Sequence, residues 1–372
     1  MSTAPSNPTP TPPVSPQVQL RREPPLRVIL EKGGSFSRFG ARLAWILVVV
    51  LVIAVVYMAS RYASYMQLNP QIDEKFYALN QFAADKIAII TVEGTIMHND
   101  GFAKWQIDQV REDPSVKGVV IRVDSPGGTI TGSHYLYHHL LKLQQEKSAG
   151  GEEFPLVVSM GGLAASGGYY ISMAVGSTPN TIFAEPTTWT GSIGVVIPHY
   201  DVSALLASWK IEDDSIASHP LKLMGSPTRK PSDEQAAKER EILQQLVADS
   251  FEGFKDIVKS GRPALAANPK ALDEVATGQI FSAKQALKLG LVDKFGFVED
   301  AADRAIELAG LDRDNVRVVK YTKRRGLVEQ ALELPSAKTG SIDLGALLDL
   351  TTPRAYYLCT WLPAVAAIPL AN

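Results

Sequence analysis

A serine with small neighbours follows an apolar run in the middle of the chain. Ser166 lies within MGGLAASGGYY (residues 160–170), directly after the β-branched run PLVVS. Alanine and glycine on both sides of it would let a substrate backbone come close, and a strand-to-helix junction is a usual place for a nucleophilic serine. The Gly167 N–H would then point toward the attacked carbonyl. Alternatively, Ser166 caps the following helix, which is the commoner use of such a serine, although a cap does not need small residues on both sides.

A second glycine-rich segment, DSPGG (residues 124–128), follows the apolar run GVVIRV. Pro126 favours a turn, and the two glycines leave backbone N–H groups unshielded, which suits the binding of an oxyanion. A plain strand-to-helix turn explains the same residues equally well. The motif alone leaves both interpretations open.

A nucleophilic serine needs a base, and two kinds of residue are available. His199 follows Pro198, while His138 and His139 precede the serine on a predicted helix; none has an obvious carboxylate to orient it. A lysine can serve if it is desolvated enough to be neutral near pH 7. Lys222 lies in HPLKLMG, an unusually apolar setting, although a lysine whose stem merely covers apolar surface is the simpler interpretation.

Short apolar runs alternate with helical patterns from about residue 85 onward. Continuous apolar runs bounded by turn residues predict strands that are buried on both faces. We expect these strands at 86–92, 118–123, 155–159 and 193–197, and helices at 131–147, 166–175 and 232–260. Such alternation indicates an α/β fold with a largely parallel sheet. The pattern occurs once, which predicts one catalytic unit at 85–322.

The N-terminal residues divide into three segments. Residues 1–40 begin with a proline-rich stretch and predict a disordered tail. Residues 41–61 contain 18 successive uncharged residues, LAWILVVVLVIAVVYMAS, which predict a single membrane-spanning helix. Six basic residues precede this run and few follow it, so we expect a cytoplasmic N-terminus and an extracytoplasmic catalytic domain. Residues 62–84 are then a membrane-proximal linker.

The C-terminal extension, residues 323–372, is less clear. Its apolar stretch 355–371 contains Pro363 and Pro369, which disfavour a second spanning helix. A strand or loop docked on the catalytic unit, or a peripheral membrane contact, is the expectation for this stretch.

Composition excludes several classes of protein. The formal net charge of -2 argues against a nucleic-acid partner. A single cysteine excludes an internal disulfide framework and a multi-cysteine zinc site. The six histidines show no HExxH spacing, so we expect neither metal nor cofactor.

Several motifs together resemble the signal peptide peptidase A family in its short single-repeat form. They are SPGG, MGGLAASGGYY, TGSIGV (190–195), Lys222 followed by SPTR (226–229), and ATGQIFSAKQALKLGLVD (276–293). The resemblance implies a crotonase/Clp protease-like fold. It also implies that Ser166 is the nucleophile and Lys222 the general base, that Gly128 and Gly167 supply the oxyanion-hole N–H groups, and that Ser192 orients the lysine. In this family, neighbouring subunits of a ring share each dyad.

The sequence therefore predicts a serine endopeptidase, anchored in the cytoplasmic membrane, that acts on signal-peptide remnants and other extended peptides. Its expected partners are peptide substrates, membrane lipid and further copies of itself. Two alternatives stay open: an acyl-CoA hydratase or isomerase of the crotonase type, and an inactive membrane scaffold. The uncharged run and AASGGYY argue against the first, and the intact Ser166 and Lys222 argue against the second.

Overall fold

A computed structural model describes residues 35–66, 72–97, 101–151, 153–324 and 356–358. Most of the predicted tail and most of the C-terminal extension lie outside these residues. The chain divides into two compact units, one that ends at Gln67 and one that begins at Leu68.

The first unit contains the helix α1 (Ser35–Met66). This helix begins inside the predicted tail and covers the predicted membrane-spanning segment 41–61. The large apolar side chains described on it, from Leu43 to Met58, are exposed. Within the described part of the chain, no helix is both long and apolar enough to cross a membrane.

The second unit is an α/β domain around a nine-stranded sheet, as the alternation of strands and helices predicts. Its strands are β1 (Ile72–Leu79), β2 (Asp85–Glu93), β3 (Val116–Ser125), β5 (Leu156–Ala165), β6 (Ile182–Ala184), β7 (Trp189–Gly191), β8 (Ile280–Ser282), β9 (Lys294–Phe295) and β10 (Val316–Lys323). A separate two-stranded sheet consists of β4 (Gly127–Thr129) and β11 (Tyr356–Leu358). The helices of this unit are α2 (Phe102–Glu112), α3 (Ile130–Lys147), α4 (Gly167–Ser172), α5 (Ser203–Ser208), α6 (Asp233–Gly261), α7 (Pro263–Ala266), α8 (Pro269–Val275), α9 (Ala283–Lys288) and α10 (Val298–Leu308).

The main sheet follows the order β1-β10-β2-β3-β5-β6-β9, and β7 joins β5 to β8. All of its pairings are parallel except β1 with β10 and β7 with β8. Residues 72–79, which were expected in a linker, form an edge strand because they pair with β10, a strand from near the end of the catalytic unit. The catalytic unit therefore includes a strand that precedes residue 85.

Side chains from both faces of the sheet are buried, as the continuous apolar runs predict. Along β2, Ala88 and Ile90 pack into one core, and Ile87 and Ile89 pack into a second core on the other face. The second core is closed by α10 through Ala301, Ala302, Ala305 and Ile306. The strands that carry the glycine-rich segments, β3 and β5, contribute side chains to both cores in the same way.

The strand predicted at 193–197 is wrong. The sheet is continued by β7, which begins four residues earlier, and the chain leaves it at Gly191 and Ser192. Both residues have left-handed backbones, with φ of 88° and 52°. Because a strand needs negative φ, the two residues end it, although the apolar residues that follow have strand-like composition.

Candidate active site

Ser166 lies at the junction that the sequence predicts, between the last residue of β5 and the first of α4. Its backbone has φ 55° and ψ -114°, which is strained for any residue other than glycine. Two hydrogen bonds hold this turn: the Ser166 N–H donates to Gly191 O at 2.8 Å, and the Tyr170 N–H donates to Ser166 O at 2.8 Å. The strain is thus maintained by the surrounding sheet and helix.

The Ser166 hydroxyl does not cap the helix that follows it. Its side chain makes no capping hydrogen bond, and Oγ is buried without any hydrogen-bond partner in the described part of the chain. A buried hydroxyl without a partner costs free energy, on the order of 1–3 kcal/mol. The cap interpretation is therefore wrong, and the hydroxyl is left available for chemistry.

The two glycine-rich segments meet beside this serine. A Cβ atom added to Gly167 would lie 3.2 Å from the Gly128 amide nitrogen and 2.3 Å from Ser133 Oγ. A Cβ atom added to Gly128 would lie 1.9 Å from Ile96 O. Only glycine fits at either position. The DSPGG turn and the serine turn are therefore in contact, as an oxyanion hole built from both would require.

Further hydrogen bonds support this region. The Gly127 N–H donates to Ser125 Oγ at 3.1 Å, and the Leu163 N–H donates to Asp124 Oδ1 at 3.0 Å. A Cβ atom on Gly161 would lie 2.9 Å from Asp124 Oδ2, which explains why glycine precedes the serine turn. These contacts fix the spacing between β3 and β5 where the glycines meet.

Lys222 does not meet Ser166 within this chain. It lies in a 3-10 turn (Pro220–Leu223), where its backbone N–H donates to His219 O at 2.9 Å. Its side chain is exposed and makes no hydrogen bond or ion pair with any described residue. None of residues 198–231 is buried. The described residues of one chain therefore do not provide the apolar surroundings that the sequence indicates for Lys222, because this segment adds no buried side chain to either core.

The segment that carries Lys222 is nevertheless tied to α6. Arg229 forms an ion pair with Glu239, and its guanidinium also donates to Leu223 O at 3.2 Å. The Gly225 N–H donates to the other Glu239 oxygen at 3.4 Å. Arg229, part of the SPTR motif, thus fixes the backbone next to the lysine. Sequence reasoning noted the motif without assigning it this role.

Ser192 lies one residue beyond the carbonyl that accepts the Ser166 N–H. It is buried, and its N–H donates to Gln279 O at 2.7 Å. No hydrogen bond joins its hydroxyl to Lys222, so a role in orienting the lysine is not visible in one chain.

A groove opens beside Ser192, with a volume of about 950 Å³. Apolar residues from three parts of the chain line it: Ile193, Val195, Val247, Phe251 and Ile280. The sequence analysis did not predict the contribution of α6. The spacing of Val247 and Phe251, four residues apart on a helix, is the signal that places them on one face.

The described histidines do not reach the serine hydroxyl. His134 Nδ1 lies 2.8 Å from the Tyr170 hydroxyl, and burial together with the nearby Lys104 and Arg111 lowers the pKa of His139 to about 4. His199 and His219 are exposed. In the same described ranges, no group of His, Cys, Asp and Glu side chains could hold a metal ion.

The chain is similar to a family of peptidases and to several proteins named as proteases. Residues 149–312 match the model of peptidase family S49. A Synechocystis protein named as a protease is 37% identical over 245 residues, which cover 66% of this chain and 82% of the relative. A protein from Enterococcus faecium named for signal peptide peptidase SppA is 38% identical over 53% of each chain. Protease 4 of Salmonella typhi is 36% identical over 60% of this chain and 35% of its own length.

The matched family and the protease names of these relatives define the class of the protein as a serine-type peptidase. The chain belongs to peptidase family S49. It spans about half the length of the Enterococcus relative and about a third of the Salmonella relative.

Proposed function

We propose that this protein is a membrane-anchored serine endopeptidase that cleaves remnant signal peptides and other extended peptides with a Ser166/Lys222 dyad. The observation that carries the proposal is Ser166 itself: a strained backbone and a buried, unpartnered hydroxyl beside two glycines that admit no side chain. The names of the Enterococcus and Salmonella relatives support a signal-peptide substrate and proteolysis respectively.

The proposed reaction is acyl transfer through a covalent intermediate. Lys222 Nζ, neutral at the start, takes the proton from Ser166 Oγ as that oxygen attacks the peptide carbonyl carbon. The Gly128 and Gly167 N–H groups donate to the resulting oxyanion. The lysine then returns the proton to the leaving amine, and water, deprotonated by the same lysine, hydrolyses the acyl-enzyme. Ser192 is proposed to hold the lysine in position.

The lysine of one protomer is proposed to serve the serine of its neighbour in a homo-oligomeric ring. This proposal is supported by the exposure of Lys222. It is also supported by exposed apolar side chains in the same segment, residues 198–231, that belong to neither buried core. Tyr200, Leu205, Trp209, Ile211 and Ile216 are all at least half exposed. A neighbouring protomer that covered this segment would also supply the desolvation that a neutral lysine needs.

Peptide substrates are proposed to bind in extended form, with apolar side chains in the groove beside Ser192. The apolar lining from Val247, Phe251 and Ile280 matches the apolar core of a signal peptide. A crotonase/Clp protease-like fold, proposed from the sequence motifs, is consistent with the parallel sheet that carries Ser166 at its carboxyl edge.

Residues 41–61 are proposed to anchor the protein in the cytoplasmic membrane, with the catalytic domain on the extracytoplasmic side. Support comes from the uncharged run Leu43–Ser60, its basic N-terminal flank and the exposed apolar side chains along α1.

Protease added to spheroplasts that express the protein should digest the domain after residue 62 and leave the first 40 residues intact, because the basic flank favours retention on the cytoplasmic side. Epitope tags at the two ends, followed by immunoblotting, measure this, and lysed spheroplasts serve as the control. A catalytic domain that survives in intact spheroplasts contradicts the orientation.

Peptidase activity is tested directly against the alternative of acyl-CoA chemistry. The detergent-solubilised full chain should hydrolyse an apolar fluorogenic peptide and should not hydrate the double bond of a crotonyl thioester, because the proposed Ser166 nucleophile attacks a carbonyl carbon. Mass spectrometry of the products identifies the cleaved bond. Hydration of the thioester without peptide hydrolysis would favour the crotonase-type enzyme, and inertness toward both would favour the scaffold.

A further inference from the structure

The motif ATGQIFSAKQALKLGLVD (276–293) ends beside the helix that follows Ser166. The Leu291 carbonyl, in the GLVD turn (290–293), accepts a hydrogen bond from the Tyr169 hydroxyl at 2.9 Å. Tyr169 lies in α4, three residues after Ser166, and is fully buried. Burial raises the pKa of its hydroxyl above the ordinary value, so the hydroxyl stays protonated and donates. This hydrogen bond links the GLVD turn to α4.

The GLVD turn is fixed by an ion pair between Arg262, directly after α6, and Asp293, the last residue of the motif. Arg262 Nη2 donates to Asp293 Oδ1 and Arg262 Nε donates to Gly290 O, both at 2.7 Å. The other carboxylate oxygen, Asp293 Oδ2, accepts the Thr181 and Ile182 N–H groups at 2.9 Å. The guanidinium thus binds both ends of the turn, and the carboxylate attaches the turn to the start of β6.

Little solvent reaches this ion pair. The Arg262 and Asp293 side chains are 12% and 15% exposed, and Leu291 is fully buried. A partly buried pair is screened much less by salt than a pair on the surface. The planar guanidinium also presents its donors in a rigid fork, which fixes two acceptors at once. The pair is therefore well suited to hold the Leu291 carbonyl in one position.

The end of α6 also packs against α4 and the 3-10 turn that follows it. A Cβ atom added to Gly261 would lie 2.7 Å from Met173 Sδ and 3.0 Å from Met173 Cα, so glycine permits this close approach. The centroids of the Phe254 and Tyr170 rings lie 5.2 Å apart. The end of α6, the GLVD turn and α4 therefore form one packed unit next to Ser166.

Ser166 depends on the position of α4 because its own backbone is strained. A residue with φ of 55° and ψ of -114° keeps this conformation only where the surrounding structure imposes it. The Tyr170 N–H, adjacent to Tyr169 in the chain, donates to Ser166 O. Gly167, whose N–H is proposed to bind the oxyanion, is the first residue of the same helix. A shift of α4 would therefore move the serine and this N–H together.

We propose that Arg262 and Asp293 are positioning residues for Ser166. They act through the Leu291 carbonyl and the Tyr169 hydroxyl. This role rests on the proposed peptidase function and gives the GLVD turn a part in it: the turn sets where the serine meets the scissile carbonyl without contacting the substrate. A misplacement of the reacting atoms by about 1 Å can lower a rate by about a hundredfold.

Tyr169→Phe tests the link nearest to the serine, because it removes the hydroxyl and keeps the ring. In the detergent-solubilised full chain, kcat for an apolar fluorogenic peptide should fall by about tenfold to a hundredfold. KM should stay nearly unchanged, since the groove is not altered. Tyr321→Phe is the matched control, because Tyr321 is also buried and its hydroxyl has no hydrogen-bond partner among the described residues. The control should keep its activity.

Asp293→Asn tests the ion pair. The amide keeps one oxygen for the two backbone N–H groups but presents an N–H group to Arg262, so the ion pair is lost. Again kcat should fall with KM nearly unchanged. Asp113→Asn is the matched control: Asp113 is 16% exposed, pairs with Lys86 through one oxygen and accepts the Ser115 N–H with the other. Its partner lies near the start of β2, so this variant should retain most of the activity.

Active-site titration with a fluorophosphonate that modifies Ser166 separates a positioning role from partial unfolding. Partial unfolding would lower the number of titrated sites. Misplacement of the serine leaves that number unchanged and lowers the rate per site. The double variant Tyr169→Phe/Asp293→Asn should be little slower than the slower single variant, because both substitutions interrupt the same link.

Full rates per site in both single variants would overturn the positioning role, as would a loss that the number of titrated sites explains entirely. Losses that multiply in the double variant would also overturn it, because effects that multiply are independent. The proposed function is judged separately, by whether the wild-type chain hydrolyses the peptide. Hydrolysis by the wild type with full rates in the variants rejects the positioning role alone, whereas an inactive wild type rejects both.

Discussion

Ser166→Ala and Lys222→Ala should each reduce peptide hydrolysis by about a thousandfold or more, because the members of a catalytic dyad act as a unit. Ser166→Ala removes the proposed nucleophile, and no described residue makes a hydrogen bond to its hydroxyl whose loss would destabilise the fold. Lys222→Ala removes the proposed base from an exposed site that contributes to neither core. Both variants should therefore fold normally, and the loss should lie in kcat.

Two further variants test whether the two residues act together as a dyad. The double variant should be little worse than either single one. Lys222→Arg should not restore activity, since a guanidinium does not give up its proton at neutral pH. Hydrolysis of an apolar fluorogenic peptide is the measurement, and thermal unfolding checks the fold of each variant.

Matched controls lie close to both residues. Ser172→Ala alters a buried serine in α4, the helix that follows Ser166, and the Ser172 hydroxyl donates to Gly168 O. Lys230→Ala removes an exposed lysine from the segment that carries Lys222. Both controls should retain most of the activity. Substantial hydrolysis by Lys222→Ala would contradict the Ser/Lys dyad and return attention to the histidines.

A mixture of inactive Ser166→Ala and inactive Lys222→Ala subunits should recover activity. Among the described residues of one chain, the serine hydroxyl has no hydrogen-bond partner and Lys222 is exposed, so in the proposed ring a second protomer would complete the dyad. A head-to-tail ring interface brings one surface of a protomer against a different surface of its neighbour. Some interfaces of a mixed ring therefore join an intact serine to an intact lysine.

With random mixing at equal ratio, about one interface in four is complete, so activity should approach roughly a quarter of that of wild type. Subunit exchange is first verified by native mass spectrometry or by differently tagged subunits. Dilution of the wild-type protein should also lower its specific activity, because dissociation removes sites by mass action. A mixture that stays inactive despite exchange would place the dyad within one chain.

Much of the fold is readable from the sequence because it depends on local patterns. The β-branched runs at 118–123 and 155–159 predict buried strands, and both lie within longer ones, β3 and β5. Ser232 behind Pro231 marks the start of α6, where its side chain accepts a hydrogen bond from the Gln235 N–H. The small residues around Ser166 are also a local signal. They indicate a nucleophile because the close approach of a substrate depends on the side chains next to the serine.

The sequence by itself determined the α/β class, the positions of most core elements and the identity of the candidate nucleophile. The tertiary structure alone decided that the Gly128 and Gly167 segments touch, that β11 pairs with β4, and that α6 contributes to the groove. It also decided that Lys222, despite its apolar sequence neighbours, is exposed in one chain. The physical reason is that strand and helix formation depend on residues a few positions apart, whereas burial and contact depend on which distant segments cover a given surface.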